Sequence, residues 1–109
     1  MEKKYSPLDY SKVDMDKVKW LCDCMLLEYG KEKQLNQLIQ ELAELIQAIT
    51  KLSQKGETNE TLHGRNGIFK EGSDVWLMLH QLETIYPDEE MWNFSKEYVI
   101  VNACERLKN

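Results

Sequence analysis

The sequence predicts an all-α fold, a four-helix bundle that we expect dimerisation to complete. Only two prolines and five glycines interrupt its 109 residues, which leaves long stretches in which a helix can continue. Within these stretches apolar residues recur at steps of three and four, the period of one helix face. Residues 98–101 favour a strand locally, but no second strand is available to pair with them.

The first helix is predicted from about Asp14 to Tyr29, after an N-terminal arm of residues 1–13. Asp14 or Asp16 can accept hydrogen bonds from the free N–H groups at its start, and Gly30 is placed to end it. Everything from residue 14 to residue 109 is expected to form one all-α domain.

The second helix, from about Glu32 to Gln54, has the clearest pattern. Its apolar residues form one wide stripe that must pack against other helices: Leu35, Leu38, Ile39, Leu42, Leu45, Ile46, Ile49 and Leu52. The following stretch, Lys55 to Gly67, is rich in Gly and Asn. It is predicted to be a loop with room for one short helical turn.

The third and fourth helices are predicted from about Ile68 to Tyr86 and from Glu89 to about Leu107. Pro87 stops the first of these, and Asp88 can cap the second. The third helix carries an apolar face made of Val75, Met78, Leu79, Leu82 and Ile85.

The composition excludes several classes of partner. With 14 Lys+Arg against 19 Asp+Glu, the net charge is -5, so the clustered cations that duplex nucleic acid needs are missing. The longest apolar run, residues 75–79, has five residues, where a membrane span needs about 20. The odd set of Cys22, Cys24 and Cys104, without a secretory apolar core, indicates reduced packing thiols and a cytoplasmic location.

Two pairs of acids have matching spacing on consecutive helices. Glu41 and Glu44 are three residues apart, as are Glu71 and Asp74, so each pair shares one helix face. If the two helices pair antiparallel, the four carboxylates point into one cleft. Two carboxylates about 5 Å apart repel by roughly 3 kcal/mol at an effective dielectric of 20, so the acids are either dispersed into water or bridged by a cation. All-oxygen ligands suit Mg²⁺ or Mn²⁺.

A polar stripe on the second helix extends this candidate site. Gln37 lies four residues before Glu41, and Lys51 continues the stripe seven residues after Glu44. We therefore predict that Gln37 and Lys51 contact substrate, with Lys51 placed to meet a phosphate. On the fourth helix Asn102 and Arg106 share a face, and they either reach the same ligand or form a solvated helix end.

The run QLIQELAELIQA at 37–48, followed by EGSDVWLMLHQL at 71–82, resembles the MazG-like superfamily of all-α nucleoside triphosphate pyrophosphohydrolases. Those proteins carry E-x-x-E on one helix and E-x-x-D on the next. The resemblance implies a Mg²⁺-dependent enzyme of nucleotide pool cleansing that cleaves an NTP or dNTP to the monophosphate and pyrophosphate. It also implies metal ligation by Glu41, Glu44, Glu71 and Asp74, activation of water by Glu41 or Glu44, and a homodimer or dimer of dimers.

One position departs from that family, and several alternatives stay open. Gly72 follows Glu71 where relatives have helix formers, so the helix starts near Glu71 or the site is looser than usual. Two other functions remain open. The protein is either a non-catalytic helical module or a related enzyme that acts on deoxyuridine nucleotides or phosphoribosyl-ATP. Glu60 and His63 have di-iron spacing, and Arg65 lies in a glycine-containing loop that could meet a phosphate.

Overall fold

The computed structural model describes residues 12–108, and within that range the chain is all-helical. The four long helices begin and end within one residue of the predicted positions, and the predicted helical turn in the loop is the short α3. The predicted arm, residues 1–13, lies outside the described residues apart from its last two. The helices are α1 (Met15–Tyr29), α2 (Lys31–Lys55), α3 (Asn59–Leu62), α4 (Ile68–Ile85) and α5 (Glu89–Lys108).

Local capping explains where α1 begins and where it ends before α2. Asp14 Oδ1 accepts hydrogen bonds from the backbone N–H groups of Asp16 and Lys17, at 3.0 and 3.4 Å. Gly30 has φ +85° and its N–H donates to the carbonyl of Leu26, and only glycine adopts this backbone easily. Since α2 starts at the next residue, a single glycine joins the two helices.

The core forms where α2 and α4 pack antiparallel and α1 covers α4. Near one end, the buried Gln81 Nε2 donates to the buried Gln34 Oε1 at 3.0 Å. The fully or nearly buried apolar side chains come from all three helices: Val18, Cys22, Leu38, Ala48, Val75 and Met78. The predicted α2 stripe is only partly covered, because four of its members, Ile39, Leu42, Ile46 and Ile49, stay exposed.

A tight connection places the first turn of α4. Thr58 and Thr61 cap each other across α3, and Thr61 Oγ1 also donates to the carbonyl of Gly56. A Cβ on Gly67 would lie 2.5 Å from the carbonyl oxygen of His63, so the loop closes against α4 only with glycine there. The carbonyl of Gly67 then accepts the N–H of Glu71 at 3.0 Å.

Helix α5 contributes no buried residue, so within one chain the packed helices are α1, α2 and α4 with the short α3. Two contacts hold its start against the end of α4. Lys96 Nζ lies 2.7 Å from Glu83 Oε1, and Trp92 Nε1 donates to the carbonyl of Tyr86 at 2.7 Å. Beyond these contacts the apolar side chains of α5 face outward.

The cysteines differ in their surroundings. Cys22 is buried in the core as predicted, whereas Cys24 is half-buried and Cys104 lies at the surface, so the packing role predicted for Cys104 is wrong; no disulfide forms among them. Burial raises the pKa of the Cys22 thiol. None of the helices in residues 12–108 combines the length and apolar character of a membrane span.

Two glycines near the start of α4 should respond oppositely to alanine. Gly67→Ala forces a Cβ against backbone and should lower the free energy of unfolding by about 1–3 kcal/mol. Gly72→Ala, inside α4 with nothing within 4 Å of the added Cβ, should raise it by about 0.5–1 kcal/mol. Thermal unfolding followed by circular dichroism measures both, and equal shifts of the two Tm values would contradict this account.

Candidate metal centre

Four carboxylates converge in the cleft between α2 and α4. Glu41 and Glu44 come from α2, and Glu71 and Asp74 come from α4. One oxygen from each side chain can be chosen so that all four lie within 4.8 Å of one another. The structure thus brings together all four residues predicted as metal ligands.

Two of these carboxylates carry buried oxygens without a partner. Glu71 is 3 % exposed, and neither its Oε2 nor Glu41 Oε2 has a hydrogen-bond partner. An unsatisfied buried acceptor costs about 1–3 kcal/mol, and more when it is charged. Because Glu71 lies in the first turn of α4, its backbone is fixed by the Gly67 carbonyl, and its side chain stays in the cleft.

The pKa of Glu41 is raised by burial and by several of its neighbours in the cluster. Desolvation raises the pKa of its carboxyl above the ordinary value, and the negative charges of Asp74 and Glu44 raise it further. Gln37 opposes the shift because its Nε2 donates to Glu41 Oε1 at 2.6 Å. The predicted site residue Gln37 therefore holds Glu41 in place.

Lys70 is a residue that the sequence analysis missed. It lies one turn before Asp74 on α4 and forms an ion pair with that carboxylate. The hydrogen bond to Asp74 raises the pKa of the Lys70 ammonium, and the charges of Asp74, Glu71 and Glu41 add to this. A Lys and an Asp four residues apart on a predicted helix indicate such an ion pair from the sequence alone.

A polar cavity of about 420 Å³ lies on one side of the carboxylates. Three cations line it, Lys51, Arg65 and Lys70, together with Glu41, Glu44 and Glu71. Lys51 was predicted to meet a phosphate, and Arg65 was one of the open alternatives. Both now lie in the same cavity as three of the four acids, so the cavity offers positive charge next to the carboxylate cluster.

A second cavity, of about 550 Å³, adjoins the cluster through Glu41 and Asp74. Its other lining residues are apolar side chains, amides, one phenol and one ammonium: Met25, Tyr29, Lys33, Gln34, Asn36, Gln37, Gln40, Leu77 and Met78. The lining therefore combines three apolar side chains with a larger number of hydrogen-bonding groups, the two kinds of contact that small-molecule sites use. The sequence pattern did not predict this cavity, because the cavity forms only where α1, α2 and α4 pack together.

The other predicted contacts lie elsewhere in the described chain. Asn102 and Arg106 are exposed on α5 and line neither of the two cavities beside the carboxylates, so their contact with a ligand stays a prediction. His63 packs its ring against Phe69, with centroids 5.1 Å apart. Neither Glu60 nor His63 belongs to the carboxylate cluster.

The donor set fits a hard divalent cation. All four side chains offer oxygen, the ligand that Mg²⁺ and Mn²⁺ prefer over nitrogen and sulfur. Because one oxygen of each side chain lies within 4.8 Å of the other three, one cation bound between them would contact more than one of these carboxylates. A cation bound there would also offer a partner to the unpartnered oxygens of Glu41 and Glu71.

Comparison with protein-family models, with curated proteins and with solved structures finds no match for this chain. The resemblance to MazG-like enzymes therefore rests on the two acid motifs themselves.

Removing the Glu41 charge should stabilise the cation-free protein. Its raised pKa means that the native state holds this proton more tightly than the unfolded chain, so the charged carboxylate opposes folding at pH 7. We expect Glu41→Gln in EDTA to raise the Tm by a few degrees, where about 1 kcal/mol corresponds to roughly 4–8 °C. The difference from wild type should shrink as the pH falls from 7 towards the ordinary value near 4.5.

Glu57→Gln is the matched control for this measurement, because Glu57 is exposed and lies outside the cluster. It should leave the Tm in EDTA unchanged. A Glu41→Gln protein that melts below wild type at pH 7 would contradict the repulsion inferred here.

Proposed function

We propose that this protein is a Mg²⁺-dependent nucleoside triphosphate pyrophosphohydrolase of the MazG-like type, with Mn²⁺ as a possible substitute. The reaction converts an NTP or dNTP to the monophosphate and pyrophosphate. One observation carries the proposal: Glu71, a carboxylate that is 97 % removed from solvent, belongs to a cluster of four acids and has an oxygen without a hydrogen-bond partner. Such a group is destabilising unless a cation completes it.

The cationic cavity supports a polyphosphate as the second ligand. Lys51 and Arg65 line it next to Glu41, Glu44 and Glu71, so positive side chains lie next to the proposed metal ligands. Arginine and lysine are the usual protein partners of phosphate oxygens. The acidic net charge of the chain does not oppose this, because the metal neutralises part of the cleft.

The cavity lined by amides and apolar groups supports a nucleoside at the other side of the cluster. Asn36 and Gln40 can exchange hydrogen bonds with a base or sugar, while Met25 and Met78 offer polarisable apolar walls. Because Glu41 lines both cavities, a ligand that occupies both has its scissile anhydride beside the carboxylates. This arrangement fits cleavage of the anhydride between the α and β phosphorus atoms and not release of the terminal phosphate.

Mg²⁺ bound by Glu41, Glu44, Glu71 and Asp74 would neutralise the triphosphate and polarise the scissile linkage. The chain's own part is to place and deprotonate water. The water oxygen attacks phosphorus, the anhydride P–O bond breaks, pyrophosphate leaves, and Glu41 or Glu44 accepts the proton. Three cysteines that form no disulfide with one another and a nucleotide substrate both suit the cytoplasm.

A panel of NTPs and dNTPs, including deoxyuridine nucleotides, and phosphoribosyl-ATP tests the proposal directly. Pyrophosphate and phosphate release are assayed separately, with Mg²⁺ and with excess EDTA. We expect Mg²⁺-dependent release of pyrophosphate. If no nucleotide is cleaved, and neither Mg²⁺ nor nucleotide raises the Tm, the chain is a non-catalytic helical module.

Substitution of the metal ligands should remove activity and keep the fold. Glu71→Gln and Asp74→Asn preserve side-chain shape but lose charge, so we expect pyrophosphate release to fall by at least about 100-fold. The Tm in EDTA should not decrease, while the Tm increase with Mg²⁺ should disappear. Glu60→Gln, outside the cluster, serves as the control, and full activity in Glu71→Gln would exclude that residue from the site.

Lys51 and Lys55 form a matched pair one helical turn apart on α2. Lys51 lines the cationic cavity, whereas Lys55 lies 3.7 Å from the exposed Glu60. Lys51→Ala should raise the KM for the triphosphate about 5- to 30-fold, the value of one or two kcal/mol of phosphate contact. Lys55→Ala should leave the KM unchanged, and equal effects of the two substitutions would indicate only a loss of net charge.

A further inference from the structure

A third cavity, of about 280 Å³, adjoins the cationic cavity. Lys51, Arg65 and Asn66 line both of them, so the two cavities meet at these three side chains. The remaining lining residues come from α3 and from the loop that follows it: Glu60, Thr61, His63 and Gly64. A ligand in the cationic cavity can therefore continue past the shared side chains into the third cavity.

The three cavities follow one another along α2. The amide-lined cavity contacts α2 between Lys33 and Glu41, the cationic cavity contacts it between Glu41 and Lys51, and the third cavity contacts it at Lys51. The distance along the helix from Glu41 to Lys51 is about 15 Å at 1.5 Å per residue. Three consecutive phosphate groups are shorter than this. A triphosphate that begins beside Glu41 therefore ends within the cationic cavity and leaves the third cavity for a further group.

The two outer cavities offer similar groups. The amide-lined cavity has the amide of Asn36 and the ring of Tyr29, and the third cavity has the amide of Asn66 and the ring of His63. Amides exchange hydrogen bonds with base edges and sugar hydroxyls, and Tyr and His rings stack on bases. The cations and three of the four carboxylates lie in the cavity between them. The lining thus suits a ligand that has a nucleoside at each end and phosphates in the middle.

The wall of the third cavity that carries His63 is held in place before any ligand binds. The His63 ring packs against the Phe69 ring at a centroid distance of 5.1 Å. The close approach of Gly67 to the His63 carbonyl, described above, fixes the backbone on the other side of the loop. A ring that is already ordered loses little conformational entropy when a base stacks on it. The one acid of this cavity, Glu60, lies 3.7 Å from Lys55, so its charge is partly balanced.

We propose that the substrate is a dinucleoside polyphosphate, in which two nucleosides are joined 5′ to 5′ through a chain of at least four phosphates. This inference rests on the function proposed above and names the group at the far end of the phosphate chain. One nucleoside lies in the amide-lined cavity, the phosphates lie along Lys51 and Arg65, and the second nucleoside stacks on His63.

The reaction follows the one already described, with a larger leaving group. The oxygen of water bonds to the phosphorus next to the first nucleoside, and the anhydride bond from that phosphorus to the next phosphate breaks. Glu41 or Glu44 accepts the proton of the water. The products are a nucleoside monophosphate and the second nucleoside with all the other phosphates.

Diadenosine tetraphosphate, compared with ATP in the presence of Mg²⁺, tests the inference by its products. Chromatography at early times should show AMP and ATP in equal amounts, and kcat/KM should exceed that for ATP by about 5- to 100-fold, the value of one stacked base. Formation of ADP alone, or a kcat/KM no higher than that for ATP, would overturn the inference and leave the proposed function standing. If neither compound is cleaved, both proposals fail.

Substitution of His63 tests the place of the second nucleoside. His63→Ala should lower kcat/KM for the tetraphosphate to the value for ATP and leave the KM for ATP unchanged, because His63 lines neither cavity that a triphosphate occupies. His63→Phe keeps a ring and should retain most of the preference. The control is His80→Ala, since His80 also packs on a ring, that of Trp76 at 4.7 Å, but lines none of these three cavities.

Binding measured without cleavage gives a second readout. Calorimetry with a diadenosine tetraphosphate whose bridging oxygens are replaced by methylene groups should show the same 5- to 100-fold weakening in His63→Ala. A His63→Ala protein that keeps the preference for the tetraphosphate, or that loses activity on ATP to the same extent, would overturn the inference.

Discussion

The antiparallel packing of α2 on α4 is the constraint from which the rest of the molecule follows. Near one end it is registered by the buried hydrogen bond between Gln34 and Gln81. That register brings the two acid pairs face to face. The helices bury apolar surface only by accepting carboxylate repulsion of about 3 kcal/mol per close pair at an effective dielectric of 20.

The carboxylates of the cleft consequently lower the stability of the cation-free fold. Native structures leave few buried polar groups without a partner, yet Glu41 and Glu71 each carry such an oxygen within one cluster. Neighbouring groups hold these two residues in place: Gln37 donates to Glu41, and the Gly67 carbonyl accepts the backbone N–H of Glu71. Local departures from good packing rules are expected at functional sites, and here they coincide with the two flanking cavities.

The sequence predicted the helices and the acid cluster because both depend on short-range rules. Asp14, Gly30 and Pro87 mark helix ends through hydrogen bonding and allowed backbone angles, and three-residue spacing puts two acids on one face. It did not predict that α5 would stay unpacked, since periodicity shows which face is apolar and not what covers it. The Gln34–Gln81 pair joins residues 47 positions apart. The amide-lined cavity brings Met25 of α1 and Met78 of α4 into one lining. No local pattern predicts either of them.

Lys70 gives the cleft a counter-ion that cannot diffuse away. It is tethered one turn from Asp74 and also lines the cationic cavity. A divalent cation that binds Asp74 competes with this ammonium, and the displaced ammonium is left beside the place where phosphates would lie. Cation and anion would then favour each other's binding reciprocally, as linkage requires. The Lys70 side chain would thereby couple the affinity for the cation to the affinity for the phosphate ligand by moving its own charge. No movement of the helices would be required.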